Sequence, residues 1–369
     1  MAGKFQFAKF SNVDIEDSLF DSLKHDYPGF EQWFAKKATN DSTALLFKDD
    51  DGLGAFVYLK DENEQIELIE GILPAVSRVK IGTLKLAERF QGQRLGEGAL
   101  GLALWQWRRK KSQEIYVTAF EKHSLLISQL KRFGFSLVGH KNNGESVYLK
   151  NRFNLDYRDP YKSFPFINPS FSKAGYIIVN DYYHDTLFPY SELKHTLQES
   201  VGKSAANGMS KVYVGSQPLP HYKPGEPVLI YRRHTKEDGQ KPRYKSCLTS
   251  YCVVTNIIIV KTNNRFHIPI EELLLTISNK SVFDERDLRG KYTSEKNLVV
   301  IEMLYYGYFG CGNNINMDWL DKNGYWAENN QYPANVQLLP EQFKAILKEG
   351  HVDVQDVIIN QPGTCPEYP

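Results

Sequence analysis

The stretch Leu84–Glu97 (LKLAERFQGQRLGE) combines residue types that could hold an anion. A strand-like run enters a loop bearing Gly92 and Gly96, and a helix-like run leaves it. The first turn of such a helix has N–H groups with no carbonyl partner, and the macrodipole adds partial positive charge there. Glycine lets the backbone approach a diphosphate with no side chain between them. The dinucleotide pattern GxGxxG fails at Arg94, and the GxxxxGK(S/T) loop is absent. Spacing alone therefore allows a phosphate loop and does not name the phosphate.

A second concentration lies at residues 203–250. Lys203, Lys211, Lys223, Arg232, Arg233, Lys236, Lys241, Arg243 and Lys245 face only Glu226, Glu237 and Asp238, a local +6 in a chain of net +1. Tyr222, Tyr231, Tyr244 and Tyr251 are interleaved with these cations, and Trp319 and Trp326 follow in a stretch with Asn and Gly. Cations with aromatic residues suit phosphate contact and base stacking, and two tryptophans could wall a base pocket. The plainer readings are a solvated basic loop and core packing of each ring. Cys247, Cys252, Cys311 and Cys365 form no CxxC pair and no His-spaced cluster, so no metal site is expected.

The elements that position the first loop alternate between strand and helix. Strands are expected at Phe5–Phe10, Thr43–Lys48, Leu53–Lys60, Ile66–Gly71, Arg78–Ala87 and Glu114–Phe120, with a final hairpin of Phe135–Gly139 and Ser146–Lys150. Helices are expected at Asp14–Lys24, Phe30–Lys37, Glu97 to about Lys111 and Ser124–Phe133. Leu100, Leu104, Trp107 and Lys111 share a face of the third. Asn151–Phe171, rich in Pro and aromatics, reads as a packed linker. Strands then dominate, at Tyr176–Val179, Lys211–Gly215, Pro227–Arg232, Cys247–Val260 and Leu298–Met303, with helices near Ser191–Ser200 and Pro340–Glu349 and a loose tail.

Two of these stretches resemble a known family. LKLAERFQGQRLGEGAL is similar to the acetyl-CoA signature of the GNAT acetyltransferase superfamily, LAVxPxYRGxGxGxxL: Leu84, Leu86, Phe90, Gln91, Gly92, Gly96 and Leu100 match, and Arg94 stands where glycine is commonest. Downstream, VTAFEKHSLLISQLKRFGF aligns without gaps with the family's VxxxNxxAxxLYEKxGF element, ending on Phe133-Gly134-Phe135. The resemblance covers about residues 4–150. It implies a mixed sheet of α/β (α+β) type, split like a V between the Arg78–Ala87 and Glu114–Phe120 strands, with the pantetheine of acetyl-CoA in the split. Leu86 and Ala87 would pair with pantetheine amides, the Leu86 N–H would polarise the thioester carbonyl, and Gln91, Gly92, Gln93, Arg94, Leu95, Gly96 and Glu97 would cradle the pyrophosphate. The family's acid tyrosine falls at Leu130 and its pantetheine-contacting asparagine at His123. Glu121, His123 and Glu88 are therefore the candidate proton-handling residues, with solvated loop residues as the plainer reading.

The run from Lys211 to Ile257 is similar to PUA-like barrels of the ASCH and EVE type, which show a GDxVLFYR…S…T…V progression. Here Pro224-Gly225-Glu226 leads into Tyr231-Arg232-Arg233, then Ser246–Thr249, and Asn335–Phe343 resembles the group's late helix. The GxKxxE motif of ASCH hydrolases has no match. This resemblance, over about 175–348, implies a β-rich barrel that binds RNA or DNA; the basic and aromatic patch described above offers Arg232, Arg233, Arg243, Tyr244, Lys245, Trp319 and Trp326 as candidate contacts. The expected division is 1–152 acetyltransferase domain, 153–174 linker, 175–350 PUA-like domain and 351–369 tail.

Composition bounds the rest. The 369 residues suffice for two domains, and 41% apolar with 24% charged is globular. Lys+Arg against Asp+Glu is 22 to 20 over residues 1–152 and 23 to 24 beyond, so no global field points to nucleic acid or membrane. There is no secretory signal and no run near the ~18–20 apolar residues of a membrane helix, and a cytoplasmic location is expected. The functional expectation is an acetyl-CoA-dependent N-acetyltransferase acting on an amine on or near a nucleic acid. The alternatives are a non-catalytic nucleic-acid-binding protein with a degenerate first domain, or a small-molecule amine acetyltransferase.

Overall fold

A computed structural model describes residues 4–194, 196, 198, 203–216, 220–235, 239, 241–326 and 333–359. Two compact units divide between Leu155 and Asp156. Among the described residues, no helix is long and apolar enough to cross a membrane.

The first unit runs β1 (Gln6–Lys9), α1 (Asp21–Asp26), α2 (Phe30–Thr39), β2 (Thr43–Asp49), β3 (Gly52–Glu62), β4 (Ile66–Leu68), β5 (Gly71–Leu73), β6 (Arg78–Leu86), α3 (Leu95–Lys110), β7 (Glu114–Ala119), α4 (Ser124–Arg132), β8 (Ser136–His140) and β9 (Ser146–Asn151). Its main sheet has the order β1-β2-β3-β6-β7-β9-β8, and the β6–β7 pair is parallel. Phe10, Phe20, Phe30, Phe34 and Phe56 are buried together where α2 meets the sheet, with Phe10 and Phe56 rings edge-to-face at 5.4 Å, a geometry aromatic quadrupoles favour.

Two expected elements come out differently. The helix expected at Asp14–Lys24 begins only after a 3-10 turn at Ser18–Phe20. The Asp14 and Asp17 carboxylates accept the N–H groups of Glu16 and Leu19 at 2.9 Å each, which holds this stretch in turns rather than a helix. The strand expected at Ile66–Gly71 is the separate hairpin β4–β5. Its tip is held to β8 by Ile69 N–H donating to His140 O and by His140 N–H donating to Glu70 Oε2, both 2.8 Å.

The feature that shapes the unit lies in β6. Tyr58 pairs with Thr83 but Leu59 pairs with Ile81, so Gly82 has no partner on β3. Such a bulge bends its strand and tightens its twist. Side by side, β6 and β7 pair only over Arg78–Ile81 and Glu114–Val117. Past that point β6 continues to Leu86 against β3, and β7 continues to Ala119 against β9. The joined end is clamped by Arg78, whose Nε donates to Glu114 Oε2 at 2.6 Å and whose Nη1 and Nη2 each donate to a backbone carbonyl, Glu64 O and Pro74 O.

The second unit contains α5 (Pro160–Ser163), β10 (Gly175–Asn180), α6 (Asp181–Leu187), α7 (Ser204–Asn207), β11 (Ser210–Gly215), β12 (Pro227–Arg233), α8 (Pro242–Lys245), β13 (Cys247–Thr262), β14 (Arg265–Phe266), α9 (Ile270–Ile277), α10 (Glu285–Ser294), β15 (Leu298–Tyr308), β16 (Ile315–Asn316), α11 (Met317–Lys322), α12 (Pro340–Glu349) and α13 (Val354–Val357). Its sheet runs β10-β12-β13-β15-β11, with β14 and β16 paired to β13, and β10–β12 is parallel. Cys247 and Cys252 are buried free thiols and Cys311 is exposed; Cys365 lies outside the described residues.

From Asp156 onward the stretch read as a packed linker belongs to this unit, and much of it is core: Phe164, Phe166 and Ile167 are fully buried, and Tyr306 Oη donates to Pro160 O at 2.6 Å. Aromatic density without periodicity marked burial rather than connection. Residues 351–359 are likewise packed, with Val357 O accepting Ile167 N–H at 2.8 Å and Ile359 O accepting Tyr157 Oη at 3.0 Å. Residues 360–369 of the expected tail lie outside the described residues. Where a helix was expected from Ser191, residues 191–194 are non-helical. There the Gln198 side chain accepts Leu193 N–H and donates to Ser191 O, a carbonyl that a helix would pair internally; residues 195, 197, 199 and 200 lie outside the described set.

Candidate functional site

The loop after β6 is built from the hairpin outward. Arg89 Nη2 donates to Asp49 Oδ1 at 2.7 Å and to Gly52 O at 3.2 Å, tying the loop to the β2–β3 turn. The Phe90 ring packs against Phe47 at 5.1 Å and over Gly54, where a Cβ would lie 2.5 Å from Phe90 Cε2. Gly54 is therefore required for the aromatic to seat. Ala87 N–H donates to Gly54 O at 2.9 Å. That removes Ala87 as a donor to a ligand and, by strand alternation, turns the N–H and C=O of Leu86 to the opposite edge, the one β7 has left.

Gln91, Gly92 and Gln93 are exposed, and Gly92 has φ +76°, a conformation natural to glycine. Leu95 and Gly96 open α3, so their N–H groups have no helical carbonyl to meet. A Cβ on Gly96 would lie 3.0 Å from Leu86 Cδ1. Arg94 explains its own departure from the family pattern. It sits just before α3 at φ 62°, ψ 13°, the left-handed conformation glycine adopts most easily. Its guanidinium holds the Glu97 carboxylate at 3.1 Å, both side chains being buried. The carboxylate in the first turn of α3 is thereby neutralised.

Among the proton-handling candidates, Glu88, Glu121 and His123 are exposed. His123 immediately precedes α4, and its O accepts Ile127 N–H at 3.0 Å. Desolvation, then Lys122 and Lys85, hold its pKa below the ordinary 6.5, so it is neutral at pH 7. Lys85 lies on the stretch of β6 beyond the bulge. Leu130, at the family's tyrosine position, is fully buried.

The second unit treats its cations differently. Arg232, expected to meet nucleic acid, is 1% exposed, and its Nε and Nη2 donate to the two oxygens of Asp185 at 2.8 Å each. Asp185 also bonds His184 Nδ1 at 2.8 Å, and His184 Nε2 meets Thr249 Oγ1 at 2.7 Å. Burial alone would raise the Asp185 pKa, but Arg232 and His184 hold it well below the usual 3.8. Arg243 bonds Asp318 and Asp321 at 3.0 and 2.7 Å. Lys203 and Lys211 donate to backbone carbonyls.

Tyr222, Tyr231 and Tyr251 are core residues. Trp326 is buried against the rings of Tyr231 at 4.6 Å and Tyr176 at 5.5 Å. Trp319 lies on α11 beside Tyr325 rather than in a loop. The burial of Trp326 corrects its place in the expected base pocket, while Trp319 is half-buried. Arg233 and Tyr244 remain exposed and Lys245 half-buried, while Lys236, Glu237 and Asp238 lie outside the described residues.

One constellation had no motif to reveal it. Lys80 on β6 pairs in register with Tyr116 on β7, and Tyr116 Oη donates to the Glu62 carboxylate at the end of β3. Lys80 and Tyr116 become neighbours only once the strand register is known.

No protein-family model matches the chain, and no curated protein matches it. Solved structures similar to parts of it include an N-acetyltransferase from Staphylococcus aureus Mu50, with 10% identity, TM-score 0.31, and coverage of 41% of this chain and 99% of that one. The PaiA N-acetyltransferase from Thermoplasma acidophilum, in complex with coenzyme A, is similar with 17% identity, TM-score 0.31 and coverage of 41% and 99%. An ASCH protein from Zymomonas mobilis is similar with 10% identity, TM-score 0.31 and coverage of 48% and 94%. The structural neighbours thus include an acetyltransferase of the GNAT family, from Listeria monocytogenes 4b F2365, and ASCH proteins. Likenesses at these scores carry no argument about activity.

Proposed function

We propose that the first unit transfers an acetyl group from acetyl-CoA to an amine. The observation that carries this is the coincidence at Gly82: β6 bulges where its pairing with β7 stops, and the freed end of β6 leads straight into the loop before α3. The residues present fit acetyl-CoA. Gly92 is open, Gly96 admits close approach, and the first-turn carboxylate of Glu97 is neutralised by Arg94. Gln91, Gly92, Gln93 and the N–H groups of Leu95 and Gly96 would hold the diphosphate, and the Leu86 backbone would meet the pantetheine in a V-shaped split.

Acetyl-CoA supplies an acetyl thioester there. The amine must arrive unprotonated. Its lone pair forms the N–C bond as the C–S bond breaks; nitrogen gives up one proton, and sulfur leaves as a thiolate that takes one. His123, neutral at pH 7, is the proposed proton acceptor, with Glu121 and Glu88 as the other carriers. Leu130 cannot protonate the thiolate, which can leave unassisted because a thiol pKa of about 8.5 makes it a tolerable leaving group.

Thiol release from acetyl-CoA in the presence of primary amines tests the reading. The expected result is turnover that falls as pH drops and the amine becomes protonated, with a further loss in acid that His123→Gln removes. No amine-dependent thiol release from protein that binds acetyl-CoA would remove catalysis and leave a degenerate domain. Recognition of RNA or DNA by the second unit is a separate proposal resting on exposed Arg233 and Tyr244. It predicts a salt-sensitive gel shift weakened by replacing both.

A further inference from the structure

Lys85 stands one residue before Leu86, on the stretch of β6 that β7 has left. Side chains alternate along a strand, and two contacts fix which face each takes. Leu86 Cδ1 lies 3.0 Å from where a Gly96 Cβ would be, so Leu86 faces α3. Lys85 pairs with Phe56, a member of the aromatic core under α2, so Lys85 faces the other way. There its Nζ donates to Ser22 Oγ on α1 at 2.6 Å. Lys122, in the turn after β7, brings its Nζ to 3.9 Å from Asp26 Oδ2 at the end of α1. The short helix α1 thus reaches both strands past the point where their pairing stops.

Three features suit Lys85 to accept an acyl group. Leu86 N is two covalent bonds from Lys85 Cα, so a thioester carbonyl held by the Leu86 N–H lies within the span of a flexible four-carbon lysine stem. The Ser22 hydroxyl that holds its Nζ is neutral, and an amine bonded to a hydroxyl can lose a proton without stripping a carboxylate of its cation. His123, the proposed base, is near: after desolvation and Lys122, the charge of Lys85 is a cause of its lowered pKa. Other lysines of this region are held by acids, Lys122 by Asp26 and Lys24 by Glu16 at 2.7 Å.

We propose that Lys85 is a self-acetylation site, to whose Nζ the first unit transfers the acetyl group of acetyl-CoA within the same chain. The proposal rests on the acetyl-transfer reading and adds to it an acceptor built into the protein. The Lys85 ammonium gives one proton to water. The neutral nitrogen then bonds the acetyl carbon as the C–S bond breaks, His123 takes the second proton, and the coenzyme A thiolate takes one from water. The net products are acetyllysine, free thiol and one proton. The modification removes a positive charge from the face opposite α3 and leaves Ser22 without its ammonium donor.

Mass spectrometry of the full chain tests this, with peptide mapping as purified and after incubation with saturating acetyl-CoA. The expected result is one acetyl group at Lys85, added about tenfold or more faster than at any other lysine, at a first-order rate independent of protein concentration. His123→Gln should slow that step, and Lys85→Arg should leave the remaining lysines at their slow rates. The wild-type map decides the matter if either variant fails to fold. Wild-type protein that binds acetyl-CoA yet stays unmodified at Lys85 overturns the proposal, as does acetylation spread evenly over the lysines or a rate that rises with protein concentration. Amine-dependent thiol release by that same unmodified protein would leave the acetyl-transfer reading standing. If acetyl-CoA does not bind, that reading falls and self-acetylation falls with it.

Discussion

The start of α3 and the guanidinium groups of the second unit both offer positive charge, and they end in opposite states. Leu95 and Gly96 begin a helix, so no carbonyl within it can reach their N–H groups. Arg232 instead closes on both oxygens of Asp185 inside the core, and Arg243 bridges Asp318 and Asp321. A long cationic side chain can turn to any acid the fold brings near. A backbone donor at a helix start has no such freedom. Charge counted along a chain is therefore weak evidence for an anion site, and a glycine-bearing turn into a helix is stronger.

That contrast can be broken from the loop side first. Replacing Gly92 and Gly96 together by Val should weaken acetyl-CoA binding by about a hundredfold or more. One Cβ crowds Leu86 and the other forces a side chain into φ +76°, a conformation costing about 1–2 kcal/mol for an L residue. The fold should survive, as checked by circular dichroism.

On the other side, Arg232→Ala leaves the Asp185 carboxylate buried without its bidentate partner and should destabilise the second unit by about 3–5 kcal/mol in urea unfolding. Arg243→Ala, whose partners are near the surface, should leave the urea midpoint nearly unchanged. Equal costs for the two arginines would contradict the burial assigned to Arg232.

Acid should expose the same network more gently. His184 is fully buried, and desolvation holds its pKa below 6.5 despite Asp185. Below pH 6.5 the unfolded chain takes up a proton that the native site resists, so stability present above that pH declines as pH falls. Asp185, held below 3.8, contributes stability above that value and loses it only in stronger acid. His184→Gln should flatten the change in unfolding midpoint between about pH 7.5 and 5.5, the window of an unperturbed histidine.

Most of the first unit was legible because its signals are local. The strand expected at Arg78–Ala87 is Arg78–Leu86, and the helix expected from Glu97 opens at Leu95, each end marked by nearby apolar spacing or glycine. What could not be read was register. The bulge at Gly82 depends on how β3 lies against β6, and the Lys80–Tyr116 pairing depends on β7. Arg232 was misread because its partner Asp185 lies on α6, whose sequence DYYHDTL carries no apolar period. The helices α9 and α10 did leave signals: Glu271 and Glu272 follow Pro269 in the first turn of one, and Asp284 caps Asp287 in the other.

Isothermal titration with acetyl-CoA tests most directly the proposal that the loop from Gln91 to Gly96 holds the acyl donor. One site per chain at micromolar affinity or tighter is expected, retained in Arg232→Ala protein that remains folded and lost in the Gly92, Gly96 double variant. Absence of heat with the wild-type chain, or binding undiminished in the double variant, would contradict it.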